Sequence, residues 1–274
     1  MSTGRPAGAV LPVWGSAMTS IASHFASSHQ PGFASNVVSL DELRAHCGYC
    51  SMREFCLPAG LAAPEIDDLH SILGKRVKVH RGEALYRAGA PFTTLYAVRI
   101  GSLKTTVLSD DGREQVAGYH MPGDLVGLDG LGTHRHESEA TALEDSECCV
   151  IPIERLEAME RLLPALQHNL HRILGREIGV DHATMLLLGS MHAAERLAAF
   201  LLNLSARYKA RGYSSTEFVL RMTREEIGSY LGLKLETVSR LFSKFQEEGL
   251  VQVQGRKIKI IDLPTLRLLV NQRS

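Results

Sequence analysis

Five cysteines are the residues of this 274-residue chain with the clearest capacity for chemistry. Cys47, Cys50 and Cys56 follow a C-x2-C-x5-C spacing, so that one loop can wrap three thiolates around a metal ion or cluster. The fourth cysteine ligand must be Cys148 or Cys149, which lie on opposite faces of a predicted strand. Spacing alone leaves zinc, an iron–sulfur cluster and buried or merely reactive thiols open, and it does not choose between Cys148 and Cys149.

The distribution of these cysteines also indicates a cellular compartment. An odd number of cysteines, with three inside ten residues, is typical of metal binding under reducing conditions rather than of a disulfide framework. His46 adjoins Cys47 and is a possible nitrogen ligand. The sequence contains no apolar run of eighteen residues. We therefore expect a cytoplasmic protein with no membrane partner.

A second group of candidate residues lies near the C-terminus. Thr223 and Glu226 have the spacing of a helix N-cap, and Gly232 ends this helix after about two turns. A longer helix is predicted over 235–247. A short helix, a glycine turn and a longer helix are typical of a helix-turn-helix. The alternative is an ordinary helical hairpin with solvated charges.

The exposed first turns of the longer helix carry side chains that suit base recognition. Glu236 can accept a hydrogen bond from cytosine, Ser239 can bond to several bases, and Arg240 can bind guanine through two donors. A following hairpin, with Arg256 and Lys257 at its turn, is expected to lie along phosphates. Thr237 joins this predicted DNA-binding set. Because the chain has 30 basic and 30 acidic residues, DNA binding must depend on such a local patch.

A long helix is predicted to begin at Pro164 and to run to about Gly189. One apolar line along it, interrupted by a single charge, has coiled-coil spacing. This predicted dimer seam consists of Leu170, Leu174, Ile178, Asp181, Met185 and Leu188. A second stripe, Leu166, Ile173 and Leu187, is expected to pack on the preceding domain. Two stripes favour a dimer, although a single amphipathic helix on its own core remains the alternative.

The rest of the chain supplies the elements that position these groups. From Lys75 to Pro152, short β-type runs alternate with glycine turns, which predicts an antiparallel roll or barrel. Residues 1–39 are rich in Ser, Ala, Gly and Pro, with almost no charge, and are expected to form a disordered arm.

Four segments together resemble the FNR branch of the cyclic AMP receptor protein (CRP/FNR) superfamily. They are 46–56 (HCGYCSMREFC), 123–127 (GDLVG), 194–198 (AERLA) and 236–240 (ETVSR). The resemblance extends from about residue 45 to the end. It implies an α+β protein with four parts: the arm 1–39; a cysteine loop plus cyclic-nucleotide-binding-like β-roll, 40–160; a dimerisation helix, 161–190; and a winged helix-turn-helix domain, 191–274.

The resemblance also implies a function. The expected protein is a homodimeric transcription regulator that binds TTGAT-type palindromes when an oxygen-labile [4Fe–4S] cluster is intact, activating or repressing genes of anaerobic metabolism. The family's fourth ligand corresponds to Cys149, which precedes Val150-Ile151-Pro152. The family's contact with RNA polymerase corresponds to the hairpin turn at Asp110, Asp111 and Gly112, which is otherwise an ordinary solvated turn.

Two other classes of protein are disfavoured. Related rolls bind a cyclic phosphate with an Arg-Ser or Arg-Thr pair. Here Arg135 does not precede a hydroxyl residue, and Glu137 and Glu139 would repel phosphate, so no cyclic nucleotide is expected. No P-loop and no G-x-G-x-x-G after a strand is present, so we expect no enzyme. A zinc-stabilised winged-helix regulator of another signal remains the alternative function.

The charge in the seam suggests how the parts are coupled. Asp181 from each subunit would face its mate, and two carboxylates in a partly dry interface oppose association. We expect the contacts that form when the cluster assembles to outweigh the repulsion between these carboxylates. The alternative is that Asp181 is a solvated position without regulatory weight.

Overall fold

The computed structural model describes residues 46–108 and 112–271. The predicted arm 1–39 lies outside this range, as do Asp110 and Asp111 of the predicted polymerase contact. In the described part of the chain, no helix combines the length and apolar character that a membrane span requires.

The described chain begins with the cysteine loop, residues 46–61. Two short 3-10 helices, Cys47–Tyr49 and Arg53–Phe55, fold this loop back on itself. Helix α1, Ala63–Ile72, follows, and the Glu65 carboxylate accepts a hydrogen bond from the Ala62 backbone N–H at 2.7 Å to cap its first turn. The loop therefore ends against a rigid helix.

The predicted roll consists of two antiparallel sheets of four strands each. One has the order β1-β8-β3-β6 and the other the order β2-β7-β4-β5. The strands are β1, Val77–Val79; β2, Ala84–Tyr86; β3, Thr94–Ile100; β4, Leu103–Leu108; β5, Glu114–His120; β6, Leu125–Val126; β7, Glu139–Ala142; and β8, Ser146–Pro152. The glycine-rich turns predicted between β-type runs lie between these strands.

Two helices follow the roll: α2, Ile153–Glu160, and α3, Pro164–Ser190. The 27 residues of α3 give it a length of about 40 Å. Leu166 and Ile173 are buried in a core cluster shared with the cysteine loop and the roll, as predicted. Leu187 is buried too, in a second core cluster that combines C-terminal residues such as Leu197 and Leu231 with Val116 and Tyr119 of the roll.

The C-terminal part is a winged helix-turn-helix. Its elements are α4, Ala193–Ala210; β9, Glu217–Val219; α5, Arg224–Leu231; α6, Leu235–Glu247; β10, Val251–Gln254; β11, Lys257–Ile260; and α7, Leu263–Asn271. The three strands form an antiparallel sheet of order β10-β11-β9. β9 is short, because only Glu217 to Val219 pair with β11.

Local signals determine the helix-turn-helix. The Thr223 hydroxyl accepts a hydrogen bond from the Glu226 N–H at 3.1 Å, and the Glu226 carboxylate accepts one from the Thr223 N–H at 2.7 Å. Gly232 ends α5 with φ of 62°, a left-handed conformation that costs little without a Cβ. The predicted bounds of the second helix, 235 and 247, are confirmed.

Helix α5 rests on the roll. The β5 backbone N–H of Val116 donates to the Ser229 hydroxyl at 2.9 Å, and the Lys104 ammonium on β4 lies 2.9 Å from the Glu226 carboxylate. The helix-turn-helix thus contacts the β2-β7-β4-β5 sheet directly.

A buried carboxylate, Asp124, joins the roll to α4. It accepts hydrogen bonds from Arg207, from Arg211 at 2.7 Å and from the Met121 backbone N–H at 2.7 Å. Burial alone would raise the pKa of Asp124, but the two guanidiniums and this N–H outweigh burial and hold the pKa below its ordinary value. The charged form is therefore the one that stabilises the fold.

Replacing this carboxylate tests how much it contributes to the stability of the fold. We expect Asp124→Asn to lower the free energy of unfolding by about 3 kcal/mol at pH 7, because the buried Arg211 guanidinium and the half-buried Arg207 guanidinium lose their counter-charge. Since the folded pKa is depressed, this stability is present above the unfolded pKa and is lost as pH falls through the folded pKa. The difference between wild type and variant in urea unfolding should be constant from pH 6 to 8 and shrink below about pH 4.

Asp145→Asn is the matched control, because Asp145 is an exposed turn carboxylate of the same roll that accepts a backbone N–H from Arg81. An Asp124→Asn effect no larger than that of the control at pH 7 would contradict the assigned role.

Candidate metal centre and nucleic-acid interface

The cysteine loop and β8 enclose one cavity between them. Its wall carries the thiols of Cys47, Cys50, Cys56 and Cys149. Apolar side chains, including Leu57, Leu69 and Ile151, complete the wall together with Arg99 and Gly123. In residues 46–108 and 112–271, no three Cys, His, Asp or Glu side chains meet closely enough, as they stand, to coordinate a single ion. The four thiols share a cavity rather than a common point.

Strand β8 separates the two adjacent cysteines. Cys149 pairs with Ala97 of β3 and packs beside Cys47 and Cys56 on the outer face of the sheet. Cys148 is fully buried on the inner face, in the core cluster that includes Tyr86 and Val98. Spacing alone did not choose between these cysteines, and the structure brings only Cys149 to the cavity.

Burial favours the protonated form of three of these thiols, those of Cys47, Cys56 and Cys149. Burial raises the pKa of Cys47 to about 12, with neighbouring Cys149 and Cys50 adding to the rise. Burial also raises the pKa of Cys56 and that of Cys149. Because only thiolates ligate metal, a metal centre bound here must displace these protons.

Two arginines give the cavity a positive edge. The guanidiniums of Arg76 and Arg99 lie 3.1 and 2.8 Å from the same carboxylate oxygen of Glu147, the residue that precedes the two cysteines. Both guanidiniums act to lower the pKa of Cys47 and Cys149, against the effect of burial. This charge favours thiolates and the anionic group that they form around a metal.

His46 does not point its ring nitrogens at the cavity. Its Nδ1 accepts a hydrogen bond from the Gly48 N–H at 3.1 Å, and its Nε2 lies 3.2 Å from the Asp67 carboxylate. Both nitrogens are used in holding the loop against α1. The sequence interpretation of His46 as a possible ligand is therefore not supported by its contacts.

The cysteine loop is tied to α3 by a buried amide that sequence reasoning missed. The Asn169 Nδ2 donates to the carbonyls of Leu57 and, at 2.7 Å, Ala59, just after Cys56. Arg172 holds the Asn169 Oδ1 with two further bonds. The signal available in the sequence was an asparagine next to Leu170, on the side of the predicted helix that is buried.

The predicted dimer seam has two halves. Leu170 is buried within its own subunit, and Leu174 packs beside it. Farther along α3, Ile178 and Met185 are 55% and 61% exposed. Asp181 is exposed as well, whereas Leu188 is half-buried against the C-terminal core. The second half of the seam therefore presents an apolar face to solvent with one carboxylate in it.

Helix α6 presents the predicted base-reading residues. Glu236, Ser239 and Arg240 are exposed, while Thr237 is half-buried. The inner side holds Val238, Phe242 and Phe245, all buried. Leu235 is 44% exposed, because it begins the helix at its open end.

The hairpin after α6 forms the predicted wing. β10 and β11 pair from Val251 to Ile260, and Gly255 opens the two-residue turn with φ of 61°, as a type II′ turn requires. Arg256 is exposed and donates to the Arg221 carbonyl at 3.3 Å. Lys257 is exposed but ion-paired with Glu217 at 2.5 Å, so its charge is partly neutralised.

Two further predicted positions lie on the roll surface. Gly112 is exposed beside β5, whereas its predicted partners Asp110 and Asp111 lie outside the described residues. Arg135 is exposed, and its guanidinium donates to the Gly89 carbonyl at 2.7 Å. Its side chain is thus turned toward the backbone of another turn.

The chain is similar to known domain families over most of the described part. Residues 76–161 match the cyclic nucleotide-binding domain family, and residues 195–269 match the Crp-like helix-turn-helix domain family. The first match spans the roll and α2, and the second spans α4 to α7. The long helix α3 lies between the two matched segments.

Individual proteins are similar over nearly their whole length. The transcriptional regulatory protein btr of Bordetella pertussis is 49% identical over 237 residues, which cover 86% of this chain and 98% of that protein. The anaerobic regulatory protein of Pasteurella multocida is 43% identical over 221 residues, covering 81% of each chain. The solved structure of FixK2 from Bradyrhizobium japonicum aligns with a TM-score of 0.67 and 30% identity, covering 73% of this chain and 98% of that one.

Proposed function

This chain belongs to the CRP/FNR family of transcription regulators, which are not enzymes, and on that premise we propose that it is an oxygen-responsive DNA-binding regulator of anaerobic metabolism. Its signal-receiving centre is a [4Fe–4S] cluster held by Cys47, Cys50, Cys56 and Cys149. The observation that carries the proposal is the convergence of these four thiols on one cavity, in a chain that ends in a winged helix-turn-helix.

The residues around the cavity fit this cofactor. Four thiols supply the ligand set that iron–sulfur clusters use, the apolar wall limits water, and Arg76 and Arg99 offset negative charge. When bound, the cluster supplies a prosthetic group that dioxygen oxidises. The protein holds the four thiolates in place, and its conformation changes when the thiolates are released.

Asn169 provides a route from the cysteine loop to α3. It binds the carbonyls of the two positions that flank Pro58, immediately after Cys56, so a shift of Cys56 changes the bonds that hold α3. Because Asn169 is buried, losing these acceptors would leave its amide N–H unpaired. The position of the cysteine loop and that of α3 are therefore linked.

We assign the exposed second half of the seam to homodimer formation. Ile178 and Met185 would be covered by the same residues of a second copy, and the Asp181 pair would oppose this contact. The small free energy that results makes the dimer sensitive to how α3 is held. A dimer in turn places two α6 helices for half-sites one helical turn apart.

On DNA, α6 would enter the major groove. Glu236, Ser239 and Arg240 would contact base edges of a TTGAT-type half-site, with Thr237 beside them, while Arg256 and Lys257 of the wing would follow phosphates. The partners are promoter DNA, a second copy of the chain and RNA polymerase, the last through the turn at 110–112. A cytoplasmic location follows from these partners.

The identity of the centre is tested by exchanging the adjacent cysteines separately. Anaerobically purified wild type should be brown, contain about four irons and four sulfides per subunit, and bleach in air. We expect Cys149→Ser to lose most of its iron and Cys148→Ser to retain it, because only Cys149 lies on the cavity wall. A colourless wild type that holds zinc and is indifferent to air would support the alternative, a zinc-stabilised regulator of another signal.

The base-reading role is tested on α6. Arg240→Ala should weaken binding to a TTGAT palindrome by about 10- to 100-fold and relax discrimination against a half-site with the guanine replaced. The control, Lys244→Ala, lies one turn farther along and should weaken binding about equally for all sequences. Fluorescence anisotropy at fixed salt measures both, and an unchanged sequence preference in Arg240→Ala would contradict the assignment.

The seam charge is tested by Asp181→Ala. Removing the facing carboxylates should raise the dimer fraction in air by about an order of magnitude in association constant, since one close like-charge pair costs about 1–2 kcal/mol at a partly dry interface. Analytical ultracentrifugation under air measures the dimer fraction. The control, His182→Ala, alters the next exposed position without changing a carboxylate. No gain in aerobic dimer would leave Asp181 a solvated position.

A further inference from the structure

One carboxylate of the roll makes contacts that resemble those of a bound anion. Oδ2 of Asp129 accepts three hydrogen bonds: from the Glu137 N–H at 2.9 Å, the Ser138 N–H at 2.8 Å and the Ser138 hydroxyl at 2.8 Å. Two successive backbone N–H groups and a hydroxyl directed at one oxygen form the type of concave donor set that binds phosphate oxygens.

Aromatic rings pack closely beside this carboxylate. His136 is 4% exposed, stacks on Tyr86 with ring centroids 3.7 Å apart, and meets the edge of Phe92. The His136 Nδ1 lies 3.7 Å from Oδ1 of Asp129, and within the described residues it has no hydrogen-bond partner. A buried ring nitrogen without a hydrogen-bond partner thus lies beside the same carboxylate.

The location of these donors in the roll indicates which kind of ligand they would bind. They belong to the segment 133–140, in which related rolls hold a cyclic phosphate, and the roll matches the cyclic nucleotide-binding domain family. Asp129 comes from a neighbouring 3-10 helix, Leu128–Leu131, and crosses to the donors from outside their segment. The negative charge that a ligand would bring is therefore already present in the chain.

We propose that Asp129 is an internal substitute for a ligand phosphate, which excludes nucleotide phosphates from the roll and keeps the 133–140 segment ordered without any ligand. A phosphate and the Asp129 carboxylate cannot share three donors, and their like charges repel. The roll then needs no bound small molecule to hold the 133–140 segment in the conformation seen in the structure. This role is independent of what the cysteine cavity holds.

Chemical rescue tests the proposal in the full-length chain. Asp129→Ala leaves three donors without an acceptor, and we expect Tm to fall by about 4–8 °C in chloride buffer. Inorganic phosphate at matched ionic strength should enter the vacated position and restore at least half of that loss, beyond any shift of the wild type. Differential scanning calorimetry measures both, with the metal content of all proteins held the same.

Two matched variants separate anion binding from general salt effects. Asp129→Asn keeps an oxygen acceptor in the position, so it should respond to phosphate no more than the wild type. Asp145→Ala removes a turn carboxylate that accepts the Arg81 N–H in open solvent, and it should show no rescue. If Asp129→Ala does not fold in chloride, Asp129→Ser is titrated in its place.

Two different results would contradict the proposal. A phosphate shift in the alanine or serine variant no larger than in wild type and Asp145→Ala would reduce Asp129 to a local turn residue. Stabilisation of the wild type by millimolar cyclic AMP would show that the carboxylate does not exclude nucleotides. Either result overturns the proposal, whatever the cysteine variants show.

Discussion

The buried carboxylate of Asp124 is the contact on which the arrangement of the molecule depends. It follows Gly123, whose backbone approaches the cysteine loop so closely that an added Cβ would lie 2.6 Å from Phe55. Its two arginines are Arg207 of α4 and Arg211, which directly follows α4, and the Arg211 guanidinium also stacks over the Phe55 ring at 4.8 Å. One charge thus joins the roll, the first helix of the DNA-binding domain and the cysteine loop. A neutral side chain in its place would leave one buried and one half-buried guanidinium close together without a counter-charge.

The cysteine loop is consequently held from two sides. Phe55, next to Cys56, contacts Arg211 just after α4, and Leu57, on the other side of Cys56, is bound by Asn169 of α3. These neighbours lead to different parts of the molecule: α3 carries the exposed apolar face, and α4 leads into the helix-turn-helix. A change in how the thiols are held therefore acts on two parts of the structure: the exposed apolar face of α3 and the seating of the DNA-binding domain on the roll. Both connections are short chains of packed and hydrogen-bonded groups, the kind of network through which coupling travels.

Sequence analysis succeeded where structure is locally determined. The bounds of α6, the Thr223 cap and the Gly232 break depend on neighbours within a few residues, so their signals are visible in the chain. The side chain of Cys149 could be placed only once β8 had a register against β3, which is a long-range pairing. Asn169 and Asp124 escaped notice for the same reason, because their partners lie 112 and 83 to 87 residues away. A polar residue at a buried helix position can be noticed in the sequence, as at Asn169, but the sequence pattern does not identify a hydrogen-bond partner so far away.

The alternation of Cys148 and Cys149 across β8 has a consequence for how the chain can vary in length. A one-residue slip of this strand would turn the Cys149 thiol from the cavity into the hydrophobic interior and bring the Cys148 thiol outward. Two adjacent cysteines would conceal such a slip chemically, since a thiol would still face the cavity, but Ile151 would leave the cavity wall and Glu147 would turn into the interior of the roll. Insertions and deletions in the turn before β8 are therefore constrained by parity: two residues preserve the facing of the strand, and one inverts it.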